Sequence, residues 1–201
     1  MWKMLRELSN QLAVSLGRQL QASNSEVEVY AYGLEITLGM LVKLALLVIL
    51  AVIFDLLWPV VLVSIGLFGF RLLGGGSHLS TYMRCLIFGL TVILGLAWLS
   101  AFLSDMLILL ILGISVIWGT GVIIERVPAG TEKKTINDAG QIAKQKLLTS
   151  LFMLLWCLAS LRLLHDGQAS MGSALTLGGL MGIFFNFNLG VLHDSWVRYY
   201  V

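Results

Sequence analysis

Along this chain the apolar positions gather into six runs, at about Ile36–Phe54, Leu56–Phe70, Leu86–Leu103, Met106–Ile124, Leu147–Leu164 and Met171–Leu192, parted by short polar intervals. About 20 apolar residues carry a helix across the hydrocarbon core of a bilayer, so each run predicts one membrane span. The second run is short, is bounded by Asp55 and Arg71 and contains Pro59, which predicts a kink or a partial entry, although it still counts as a span. Ahead of the runs, Leu5, Leu8, Leu12, Leu16 and Leu20 recur at helical spacing among Lys3, Arg6, Glu7 and Arg18. That pattern predicts an amphipathic helix, lying at the membrane surface or packed on the rest of the protein, and the charges break it too often for a signal peptide. The expected fold class is an all-α integral membrane protein: about six transmembrane helices plus an N-terminal amphipathic interfacial helix. Residues 1–30 form the amphipathic part and residues 31–201 the six-span domain, with loops at 71–85 and 125–146.

Composition strengthens this reading, for the 201 residues are 58% hydrophobic and 12% charged, and their mean hydropathy is +0.92. A net charge of +2 is too small to suggest nucleic acid, and no nucleic-acid-binding pattern is present. Of the 13 Lys and Arg, 11 fall in the N-terminal segment, the second and fourth loops and the tail, and none in the three intervening turns. The positive-inside rule therefore puts both termini and the 71–85 segment on the cytoplasmic side of the membrane. The other two, Lys43 and Arg162, lie inside apolar runs, where an unpaired charge is costly. Arg162 is near the end of its run and can reach Asp166, whereas Lys43 is deeper and the pattern names no partner for it. Gly178 and Gly182 form a small-xxx-small pair in the last run, which predicts close helix packing, within one subunit before a dimer.

Candidate chemistry concentrates in Gly74-Gly75-Gly76-Ser77-His78-Leu79-Ser80-Thr81-Tyr82-Met83-Arg84-Cys85. A thiol near an imidazole, after a glycine-rich break and flanked by Arg71 and Arg84, has the ingredients of an activated nucleophile. On one straight helix His78 and Cys85 would stand about 10 Å apart along the axis. A helix that starts after His78, capped by Ser80 or Thr81, with the chain folding back through the glycines, brings the two within reach. Cys157, inside Leu154-Leu155-Trp156-Cys157-Leu158, reads as a packing cysteine and serves as an internal control. The two cysteines make neither a disulfide framework nor a metal-ligand set, so no metal or cofactor is expected. His165 and His193 sit at span ends, where interfacial roles are the default. The basic loop from Glu125 to Lys146, with Pro128, Lys133 and Lys134, either contacts lipid headgroups or docks an acidic peptide or protein segment.

The spacing of Arg71, Gly76, His78 and Cys85, the loop Val127-Pro128-Ala129-Gly130-Thr131-Glu132-Lys133-Lys134-Thr135-Ile136, the six runs and the total length together resemble the AgrB (accessory gene regulator protein B) family. The resemblance covers essentially the whole chain. It implies a membrane cysteine endopeptidase that processes an AgrD-like precursor peptide into a cyclic quorum-sensing pheromone. It also implies that His78 is the catalytic histidine, that Cys85 is the nucleophile and that Arg71 and Gly76 support the site. With an acidic precursor tail, Lys133 and Lys134 become the expected substrate-binding residues. Family members are described as dimeric, which the resemblance suggests here and Gly178 and Gly182 alone do not establish. The alternative reading is a non-enzymatic six-span peptide exporter or membrane scaffold, with the glycine-rich loop as a hinge. The chain has no nucleotide-binding P-loop, which disfavours ATP-driven transport by it alone.

Overall fold

A computed structural model describes residues 2–74, 82–128 and 138–197, with side chains as far as Phe185 apart from those of Trp2, Lys3, Leu5 and Tyr82. Among the described residues there are seven α-helices and no strand: α1 (Trp2–Leu20), α2 (Asn24–Ile53), α3 (Leu57–Gly74), α4 (Tyr82–Leu99), α5 (Asp105–Arg126), α6 (Ala139–His165) and α7 (Ala169–Val197). Each apolar run lies chiefly on one helix from α2 to α7. Helices α2, α3, α5 and α6 are long and apolar enough to cross a membrane, while α4 and α7 carry the shorter apolar stretches Met83–Leu99 and Ala169–Phe185. The protein is an all-α membrane protein, as its hydropathy predicts.

Pro59 does not kink the second run. It falls in the first turn of α3, where the N–H it lacks has no helical partner to lose, and the helix continues unbroken to Gly74. Its 18 residues span about 27 Å at a rise of 1.5 Å per residue, close to the thickness of the hydrocarbon core.

The helices divide into two compact units. The first holds α1, α2 and the beginning of α4. Helices α1 and α2 turn back on each other through Gln21, in the left-handed region at φ 53°, and the Ser23 N–H donates to Glu26 Oε2 at 2.7 Å to start α2. The face of α1 that meets α2 is built of small residues. Ser9, Ala13 and Gly17 are buried at four-residue intervals, and a β-carbon on Gly17 would collide with Val27. The leucine row that the periodicity picks out, Leu8, Leu12, Leu16 and Leu20, is exposed. Helix α1 therefore packs on α2 through its small residues and keeps its apolar stripe outward, so it is the amphipathic helix expected and combines features of both arrangements.

The second unit contains α3, α5, α6, α7 and the rest of α4. Helix α7 is its centre, packed by α3, α5 and α6, and every residue from Gly172 to Gly179 is buried. Glycine sets the closest approach. A β-carbon on Gly66 of α3 would lie 2.8 Å from the Gly178 carbonyl carbon and 2.9 Å from the Leu175 oxygen. One on Gly178 would strike the Val63 backbone, and one on Gly182 would lie 3.0 Å from the Leu67 oxygen. The Gly178/Gly182 pair thus serves packing within the subunit, where association in lipid rests on van der Waals contact between close backbones. Above the glycines, Trp156 of α6 donates from Nε1 to the Leu175 carbonyl at 2.8 Å and meets Phe70 edge to face at 5.5 Å. Phe152 meets Phe70 in the same way at 5.0 Å. At the α6–α7 turn Arg162 pairs with Asp166 at 2.9 Å, the partner expected for it, and Gly167 takes φ +74°, which glycine adopts without steric cost.

Candidate active site

Cys85 is the fourth residue of α4, so the thiol sits at the positive end of a helix dipole, where an anion is favoured. It is half-buried, between the exposed Arg84 and the buried Leu86. The sequence leaves Lys43 of α2 without a partner, and the structure supplies one: Lys43 Nζ donates to the Cys85 carbonyl at 3.4 Å. Space for that ammonium comes from Gly89, one turn further along α4, where a β-carbon would collide with Lys43 Nζ and lie 2.9 Å from its Cε. Lys43 and Cys85 belong to the same compact unit. They are 42 positions apart in sequence, which is why periodicity within either run is silent about the contact.

The glycine-rich break starts later than expected, because Gly74 is the buried last residue of α3. Gly76, His78 and the two candidate capping residues Ser80 and Thr81 lie outside the described residues, as do Lys133 and Lys134. Arg71 is in the last turn of α3, half-buried, with its guanidinium 5.5 Å from the centre of the Phe185 ring of α7. This cation–π contact ties Arg71 to the second unit, while Cys85 belongs to the first.

The basic stretch expected as a loop over 125–146 is helical at both ends, since α5 runs to Arg126 and α6 begins at Ala139 and carries Lys144 and Lys146. Lys146 donates from Nζ to the Ile124 carbonyl at 2.7 Å, satisfying an oxygen in the last turn of α5, where a cation is electrostatically favoured. Lys144 is exposed. Asp138 accepts from the Gly140 N–H at 3.0 Å and starts α6. Cys157 lies far along α6 and packs against the cluster of Phe70, Leu112, Val122, Trp156, Leu175 and Ile183. His165 is exposed beside Asp166, with Nδ1 3.6 Å from Oδ1.

Comparison with known proteins gives a match to the family described as Accessory gene regulator B over residues 9–186. No curated protein matches the chain, and no solved structure does.

Proposed function

The chain belongs to the accessory gene regulator B family, and from that premise we propose that it is a membrane cysteine endopeptidase acting on an AgrD-like precursor peptide. Cys85 is the nucleophile in this reading and His78 the general base and acid. The observation that carries it is the family match over 9–186, a range that contains both residues. The position of Cys85 near the start of α4, with a lysine on its carbonyl, supports it.

The reaction runs in two acyl transfers. The Cys85 thiol gives its proton to His78, and the thiolate attacks the carbonyl carbon at the C-terminal edge of the future ring. The carbon–nitrogen bond breaks as His78 returns the proton to the leaving amine, and the precursor tail departs. A thioester joins the N-terminal part of the peptide to Cys85. A Cys or Ser side chain within that peptide then gives its proton to His78, which is neutral again, and attacks the thioester carbonyl. The carbon–sulfur bond to Cys85 breaks, closing a thiolactone or lactone and restoring the thiolate. The first exchange replaces an amide by a thioester and is pulled forward by loss of the tail, whereas a thioester-for-thioester exchange is nearly neutral. The protein must also keep water from the thioester, a task suited to a membrane boundary.

In the same proposal both termini and the His78/Cys85 segment face the cytoplasm. Residues 1–30 serve as the interfacial part and residues 31–201 as a six-span peptidase domain, in contact with lipid and working as a homodimer. Lys133 and Lys134 receive the precursor's acidic tail. Intact mass of the protein in liposomes with its candidate precursor tests the chemistry. The expected result is a hydroxylamine-sensitive adduct with the mass of the N-terminal part of the precursor, absent in Cys85→Ala and present in Cys157→Ala. Neither adduct nor shortened peptide, with a cognate precursor and folded protein, would turn the assignment to a peptide exporter or scaffold.

A further inference from the structure

Lys43 is the only Lys or Arg in α2, and it stands among apolar residues, Val42, Leu44, Ala45 and Leu46. A cation placed there is costly unless something takes up its charge. What it meets is the carbonyl of the cysteine assigned as nucleophile, at 3.4 Å. The glycine at position 89 is the residue that leaves it room. Because the ammonium rests on the backbone oxygen of Cys85, it brings positive charge to that residue without engaging the sulfur, which stays available to attack. Both Lys43 and Cys85 are half-buried, and the field of a charge is screened less there than in bulk water. Among the described residues of α2 and α4, the charged side chains nearest to this pair in sequence are Arg84, exposed on α4, and Glu35, half-buried on α2 two turns before Lys43.

We propose that Lys43 is the electrostatic positioning residue of Cys85: anchored on the Cys85 carbonyl in the space left by Gly89, its ammonium stabilises the negative charge of the attacking thiolate. This inference rests on the reading of Cys85 as nucleophile. It adds a third group, 42 residues away, to the machinery assigned above.

The test compares alkylation of Cys85 by iodoacetate, an anion, with alkylation by neutral iodoacetamide, in liposomes and a Cys157→Ala background. Both reagents consume the thiolate, so their rate ratio is insensitive to how much of it is present and reports the local charge. In Lys43→Met the iodoacetate-to-iodoacetamide ratio is expected to fall about fivefold or more, because a unit charge a few ångströms from an anion is worth about that factor even at the screening of bulk water. Lys43→Arg is expected to restore it. Gly89→Ala, which displaces the ammonium and keeps the lysine, should reproduce the fall, whereas Gly95→Ala on the same helix, where a β-carbon meets nothing within 4 Å, should not. An unchanged ratio in Lys43→Met, or a fall that Lys43→Arg does not restore, would overturn the proposal. Processing by Cys85→Ala would instead overturn the nucleophile assignment and leave the charge ratio as measured, so the two failures are distinguishable.

Discussion

Cys85 lies near the N-terminal end of α4, with an ammonium on its own carbonyl and Arg84 beside it. Cys157 lies deep in α6 against a cluster of aromatic and aliphatic side chains. Both thiols are half-buried, so exposure does not separate them. What separates them is the field. One is at the positive end of a helix near a lysine, and the other is surrounded by groups that offer a thiolate nothing. The surroundings also differ in how they hold together, since Cys157 belongs to a unit knit by glycine contacts and edge-to-face rings, while Lys43 reaches Cys85 through one long contact and one missing β-carbon.

Breaking the comparison at its strongest point means exchanging the two thiols' roles. Cys85→Ala is expected to reduce precursor processing on the order of 10³-fold or more, while Cys157→Ala leaves it within about twofold, as mass spectrometry of the peptide products would check. The packed unit is tested next by Gly178→Ala, whose β-carbon would meet the Val63 backbone. Backbone cannot step aside as a flexible side chain can, and overpacking of this kind should cost about 3 kcal/mol in denaturation followed in detergent micelles. Trp156→Phe keeps most of the ring and loses the bond to the Leu175 carbonyl. It is expected to cost about 1–2 kcal/mol in the same measurement, with the reactivity of Cys85 unchanged. The smallest effect belongs to Arg71→Ala, which removes the cation–π contact with Phe185 and should lower stability by about 0.5–1 kcal/mol. Its processing assay is the sharper half of that experiment. Loss of cleavage with the fold intact would give Arg71 a part in the chemistry, and intact cleavage would confine it to holding α3 against α7.

Legibility varied with the range of the interaction involved. The pairing of Arg162 with Asp166 follows from spacing alone, since i and i+4 share a helix face. The straight course of α3 past Pro59 does not follow from the run, because apolar character does not mark where a helix starts, and in the first turn the missing N–H has no consequence. The leucine row of α1 marks an amphipathic helix and leaves its packing face open. Small residues, which contribute little to any hydropathy pattern, are what let α2 come close. For the site, the residue types around Cys85 marked the segment, and the resemblance assigned Cys85 and His78. The contact from Lys43 could not be read, because it depends on where α2 brings a side chain relative to a helix that begins 39 residues later.

The sequence by itself determined the helices, their affinity for lipid and the chemical character of the Gly74–Cys85 stretch, because each follows from local composition and from the transfer of side chains out of water. Hydropathy cannot tell a neighbour that is lipid from one that is another helix, since both are apolar. Only the tertiary structure therefore decided that α7 is the buried centre of its own unit, that α2 is largely exposed, that Gly66 and Gly178 meet backbone to backbone, and that the lysine within α2 reaches the carbonyl of Cys85.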